Sequence, residues 1–254
     1  MSHKYYKKMK NNFAAIISDT SRSKIYLSLL IKKGLIPNYV LYMRDKSKIK
    51  FKKNQSFKFT LQHGRKRIYE NLLIEYDIIK ILNNNKINFE VLETIDIHEK
   101  KVINKIKNRK ERFFIYSGYP GVILKKEIIN LKKTFIHVHG GYLPKYKGST
   151  TNYYSILKEN KIGASSIIMS SGIDEGPILK KKYFLPPKKK YQMDKYYDSF
   201  ARGVILIETI KKFDKLQKIK QSRSETQNYP IYYIIHPVLK HISILEKNEN
   251  NLSR

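Results

Sequence analysis

The chain has 254 residues, 41% of them hydrophobic, which suits one substantial core with appendages better than two equal domains. It contains no cysteine, so disulfides, thiolate zinc sites and a cysteine nucleophile are excluded. Its 52 Lys and Arg against 21 Asp and Glu give a formal net charge of +31, but the lysines run from Lys4 to Lys247 among abundant Asn, Ile and Tyr, and composition alone accounts for such a solvated, lysine-coated surface.

Residues 1–12 are basic and polar, without the apolar stretch and cleavage site of a secretory leader. No apolar run approaches the ~18 residues of a membrane helix, so the expectation is a cytoplasmic protein with no membrane partner. Residues 13–17 (Phe-Ala-Ala-Ile-Ile) read as a strand running into the polar Ser18-Asp19-Thr20-Ser21. Apolar residues at Ile25, Leu27, Leu29, Leu30 and Ile31 then predict a helix. A second strand is expected over 39–43, and the lysine-rich 44–60 is expected to be a loop or hairpin insertion. Ile68, Leu72, Tyr76, Ile79 and Leu82 fit one face of a further helix.

A βαβ pattern follows, with strands at 87–92 and 112–116 and a helix between them at 98–108 through Val102, Ile103 and Ile106. The remaining expected elements are a short helix at 127–131, a strand at 134–139, a helix at 150–158, strands at 164–169 and 178–184, and a long helix at 192–216. The helix stripe of Met193, Tyr197, Phe200, Val204, Ile207 and Ile210 is core packing. Residues 222–227 read as a linker and 229–245 as a compact tail that docks on the body. The fold class is therefore α/β, a doubly wound, mostly parallel, Rossmann-like sheet, with residues 1–220 as the main domain and 221–254 as a short C-terminal extension. Ligands of such sheets sit at the carboxyl ends of the strands. The densest basic run, Lys180 to Lys182 with Lys188 to Lys190, is the first candidate for any polyanion contact.

The stretch richest in chemistry is Phe135-Ile136-His137-Val138-His139-Gly140-Gly141-Tyr142-Leu143-Pro144. Alternation along a strand sends His137 and His139 to the same side, at the carboxyl end, immediately before a Gly-Gly turn. Farther on, Ser170-Ser171-Gly172-Ile173-Asp174-Glu175-Gly176-Pro177 is a turn between two strands, from which Asp174 can reach an imidazole and fix its tautomer. Two His and one carboxylate serve either as a metal-binding facial triad or as a metal-free acyl-transfer site, and spacing alone leaves both open.

His137-Val-His139-Gly-Gly-Tyr-Leu143-Pro144, followed by Lys147-Gly148 and Ile173-Asp174-Glu-Gly176-Pro177, resembles the formyltransferase family, which includes glycinamide ribonucleotide, methionyl-tRNA and sugar N-formyltransferases. The family pattern is Asn-x-His-Pro-Ser-Leu-Leu-Pro, then Arg- or Pro-Gly, then Leu-Asp-x-Gly. The resemblance spans residues 12–213 and is strongest over 112–184. It implies 10-formyltetrahydrofolate as cosubstrate, no metal, His139 as the catalytic histidine that stabilises the oxyanion, and Asp174 as its orienting partner. It also implies that Ser117, Gly118, Tyr119, Pro120, Gly121 and Val122, with Gly172 and Ile173, hold the folate. The chain departs from the pattern at His137, where the family has Asn, and at Gly140-Gly141, where it has Pro-Ser. An imidazole N–H at His137 donates to the formyl oxygen only in the right tautomer or when protonated.

The resemblance leaves the amine acceptor to be argued. Fewer than forty residues follow Leu216, too few for the oligonucleotide-binding barrel of the methionyl-tRNA enzymes, which favours a small acceptor such as an amino sugar on a nucleotide carrier. The positive charge favours tRNA, the runner-up. A catalytically weakened folate-binding relic is the remaining alternative. Ser18, Thr20, Ser21 and Arg22 are candidates for an acceptor phosphate at a helix N-terminus.

Overall fold

The computed structural model describes residues 12–45, 47, 55–74, 77–187, 193–212 and 229–245. The linker expected at 222–227, the lysines at 188–190, Tyr76, and parts of the 1–12 and 44–60 segments lie outside the described residues. Among those described, no helix is long and apolar enough to cross a membrane.

The first strand, β1 (Phe13–Ser18), is buried along its whole length because helices cover both faces of the sheet. Phe13, Ala15 and Ile17 face one apolar cluster, while Ala14 and Ile16 face the other. Helix α1 (Ser21–Lys32) follows, with Thr20 as N-cap accepting from the Ser23 amide. Strand β2 (Tyr39–Met43) pairs with β1 in parallel.

The next segment differs from the sequence expectation. In place of a helix through Ile68 and Leu72 there is a hairpin, β3 (Gln55–His63) and β4 (Lys66–Ile74), with registers running from Gln55 opposite Ile74 to His63 opposite Lys66. An interval of four residues keeps side chains on one face of a helix and, being even, on one face of a strand as well, so that spacing fits both. The period-2 run of Phe57, Phe59 and Leu61 and the tight turn at Gly64, with φ at +56°, carry the hairpin signal. Among the described residues of the expected stripe, Ile79 and Leu82 are helical, in α2 (Ile78–Asn84).

Beyond the hairpin the elements follow expectation to within a few residues, except the two-residue strand Lys147–Gly148, which was not expected. They are β5 (Phe89–Leu92), α3 (Lys100–Lys107), β6 (Phe113–Ser117), α4 (Lys126–Ile129), β7 (Thr134–His139), β8 (Lys147–Gly148), α5 (Thr151–Glu159), β9 (Ile162–Ile168) and β10 (Ile178–Phe184). The long helix expected at 192–216 opens with a π-turn, Met193–Tyr197, and continues as α6 (Asp198–Ile210). The tail holds β11 (Ile231–Tyr232) and α7 (Pro237–Ile244). It does dock: β11 pairs with β8, and Thr150 Oγ1 accepts from the Ile235 amide at 2.8 Å.

The main sheet has seven strands in the order β10-β9-β7-β6-β1-β2-β5. The five from β7 to β5 are parallel to one another, and β9 and β10 are added antiparallel. Strand order reverses at β1, so the carboxyl ends of β1, β6 and β7 open on one crevice. Phe200 on α6, fully buried, stacks on Phe59 of the hairpin at 4.5 Å between ring centroids and joins the hairpin to the core. Removing that ring leaves a cavity that the packed surroundings fill only in part. Phe200→Ala is expected to lower the unfolding free energy by about 3–5 kcal/mol, read from urea denaturation.

Candidate active site

A cavity of about 710 Å³ opens at the carboxyl end of β7. His137 and His139 both line it, as two residues on the same strand face must. Asp174 enters from the 169–177 loop between β9 and β10. Its φ is +52°, a left-handed conformation that Asp tolerates better than branched residues do. The result is a contact of 3.2 Å between Asp174 Oδ2 and His139 Nδ1, with the histidine side chain 7% and the aspartate side chain 14% exposed. Asp174 Oδ2 also accepts from the Gly148 amide at 3.1 Å. On the neighbouring residues Lys147 Nζ meets Glu175 Oε1 at 2.9 Å, so β8 and the Asp174 loop are clamped at two successive positions.

The other nitrogen of His139, Nε2, donates to the Tyr146 carbonyl at 2.8 Å and lies 3.3 Å from Thr151 Oγ1. A neutral ring held by that carbonyl carries its proton on Nε2 and turns the Nδ1 lone pair toward Asp174; a doubly protonated ring donates to both. His137 behaves differently. Its Nδ1 donates to the Tyr116 carbonyl of β6 at 3.2 Å, and burial, then the Arg22 and Arg202 guanidiniums, hold its pKa well below the usual imidazole value.

Both glycines that replace the family's Pro-Ser have a steric reason. A Cβ on Gly141 would sit 2.5 Å from His139 Nε2 and 2.5 Å from Thr151 Oγ1. A Cβ on Gly140 would land on the Arg202 guanidinium, which lies across the glycine. Arg202 is paired with Asp198 at 2.7 Å, and its buried Nε has no hydrogen-bond partner among the described residues.

The expected folate-binding residues divide in two. Tyr119, Pro120, Gly121, Val122, Gly172 and Ile173 line the cavity. Ser117 and Gly118 stand behind its wall: the Ser117 hydroxyl accepts from Arg22 Nε at 3.2 Å, and the Gly118 carbonyl accepts from Arg22 Nη2. At the start of α1, Ser18 and Thr20 are likewise occupied, Ser18 by the Ser117 carbonyl and Thr20 by its cap, and of that group only Arg22 lines the cavity. Asn152, Asp194, Asp198, Arg202 and Ile234, not expected from the sequence, also line the cavity. These come from α5, the π-turn at Met193–Tyr197, α6 and the tail, and in sequence they look like ordinary helix and tail residues. Among the described residues no group of three or more His, Cys, Asp or Glu is arranged to hold a metal ion.

A family model for formyl transferase matches residues 59–203, more than half of the chain's 254 residues. The chain belongs to the formyl transferase family. One curated relative, methionyl-tRNA formyltransferase of Campylobacter jejuni subsp. jejuni serotype O:2, is 29% identical over 163 residues, covering 63% of this chain and 51% of that protein. The chain thus spans about half the length of the curated relatives it matches. Among solved structures, glycinamide ribonucleotide transformylase 1 from Symbiobacterium toebii aligns with a TM-score of 0.58 at 11% identity, covering 83% of this chain and 91% of that one. The N-formyltransferase from Helicobacter canadensis, solved with folinic acid and dTDP-3-aminofucose, aligns with a TM-score of 0.53 at 17% identity over 87% of this chain and 70% of that one. At such identities the likeness is one of fold.

Within this family framework the Gly-Gly turn is a testable departure. Restoring bulk with Gly141→Ser forces the His139 ring or Thr151 to move and is expected to cost about 1–3 kcal/mol of stability. The measurement is the shift of the urea midpoint at unchanged slope.

Proposed function

We propose that this protein transfers the formyl group of 10-formyltetrahydrofolate to the primary amine of a small acceptor, such as an amino sugar on a nucleotide carrier. The observation that carries this reading is the 3.2 Å contact between His139 and Asp174 at the wall of a cavity of about 710 Å³, on the face where doubly wound sheets bind ligands. The loop from Tyr119 to Val122 and the turn at Gly172 and Ile173 flank that pair and would hold the folate. The amine is itself the nucleophile, so no covalent enzyme intermediate is required. His139, oriented by Asp174, would meet the charge that grows on the formyl oxygen; its Nε2–H then turns from the Tyr146 carbonyl to the substrate.

Arg22 supports an anionic acceptor. It reaches the cavity, and among the described residues it has hydrogen bonds to Ser117 and Gly118 but no ion-pair partner. In the same reading residues 1–220 form the catalytic unit and 221–254 an extension, whose Ile234 contributes to the cavity wall. A second reading, methionyl-tRNA as acceptor, is favoured by the curated relatives and by the net charge of +31.

The test is incubation with 10-formyltetrahydrofolate and a panel of amines, following release of tetrahydrofolate. His139→Ala and Asp174→Ala are each expected to slow release by at least about 100-fold, the scale of a lost acid–base group. Release at equal rates in wild type and both variants would remove these residues from the reaction, and folate binding without any transfer would make the protein a relic. For the second reading, tRNA binding that survives above ~0.3 M salt is the discriminating result, because counterion-driven attraction collapses there.

A further inference from the structure

His137 stands where the family has an asparagine, and the structure changes what that position can do. An asparagine amide offers N–H groups to a substrate oxygen. His137 spends its one neutral-state N–H on the Tyr116 carbonyl at 3.2 Å, an acceptor fixed in the adjacent strand β6. Its other nitrogen, Nε2, makes no hydrogen bond among the described residues and is not sealed from the cavity that the ring lines. In this tautomer Nε2 is a lone pair.

We propose that His137 is the general base of the reaction, taking the proton from the attacking amine through Nε2, rather than a donor to the formyl oxygen. This role rests on the formyl transfer proposed above. The amine nitrogen forms a bond to the formyl carbon, and its surplus proton passes to Nε2. The bond from the formyl carbon to N10 of the folate then breaks with its electron pair going to N10, and the imidazolium returns the proton there. The product is a formamide and tetrahydrofolate, and His137 ends neutral.

The surroundings keep the ring ready for that step. Arg22 from α1, Arg202 from α6 and His139 on the same strand are the ionisable groups that disfavour its charged form, and burial acts in the same direction. Tyr116 on β6 contributes its carbonyl, while its own phenol, pushed up to about 12 chiefly by burial, stays neutral. A ring depressed below the usual imidazole pKa is unprotonated through neutral pH and takes up a proton only on the acid side.

Two measurements test the role. In the wild-type protein, nitrogen NMR of labelled histidine is expected to show His137 with hydrogen on Nδ1 and a bare Nε2 from pH 8 to below pH 6.5; hydrogen on Nε2 in that range overturns the proposal. In the transfer assay, His137→Asn is expected to lower kcat by about 100-fold and to remove the acid limb of the kcat/KM profile, which in wild type lies below the usual imidazole range. An Asn variant that keeps the wild-type rate and acid limb overturns it, since the side chain would then be acting as the family amide does. A wild type that transfers nothing to any amine defeats the proposed function, and the base role with it. Transfer in wild type with hydrogen on Nε2 defeats the base role alone.

Discussion

The 3.2 Å contact between His139 and Asp174 ties the exit of a buried parallel strand to the loop between two antiparallel ones, and much of the surrounding geometry follows from it. For Asp174 Oδ2 to serve both His139 and the Gly148 amide, its backbone must turn left-handed and β8 must lie alongside. Lys147, only 1% exposed, can be buried there because Glu175 meets it. The ring of His139 is then pressed so closely against the turn that residue 141 has no room for a side chain. In this chain the Gly-Gly turn goes with that packing: a Cβ at position 141 would meet His139 and Thr151, and one at 140 the guanidinium of Arg202.

Electrostatics in the cavity differ from those of the surface. A net charge of +31 describes the whole chain, yet Asp174, Asp194 and Asp198 all line the cavity, each engaged by a named partner: His139, Lys240 and Arg202. Two of the three lysines in the run at 180–182 share Glu208, and Lys181 lies over the Tyr142 ring. Arg22 is different in having hydroxyl and carbonyl partners only, and burial together with Arg202 lowers its pKa. An anionic group on a ligand entering the cavity would therefore find a guanidinium not already matched by a carboxylate.

The tail and the hairpin extend the α/β body in ways that bear on the site unequally. The tail adds a two-residue strand to β8, which puts Ile234 at the cavity rim, and Lys240 on α7 reaches Asp194. The hairpin stands on the other side of α1 and α6, held by Phe59 on Phe200 and by Glu70 between Lys32 and Lys33. It supports α6 from behind and thereby the helix that presents Arg202 and Asp198.

What the sequence by itself determined is whatever local periodicity encodes. The buried strands at 13–17 and 39–43 are continuous apolar runs, and the two-residue interval between His137 and His139 can only put both on one face of the strand at 134–139. A hairpin is among the expectations for 44–60, but its second strand reads as a helix because four-residue intervals satisfy two periods at once, and pairing with a partner strand, a non-local event, decided between them. Tertiary structure alone decided which carbonyl each histidine would meet, and so which nitrogen carries hydrogen: Tyr116 on the next strand for His137, Tyr146 across the turn for His139. It also decided that Ser117 and Gly118 would hold Arg22 rather than face the cavity, and that Arg202, far along the chain, would lie over Gly140. Such contacts depend on the distances and angles at which finished elements pack, and no interval within a single element specifies them.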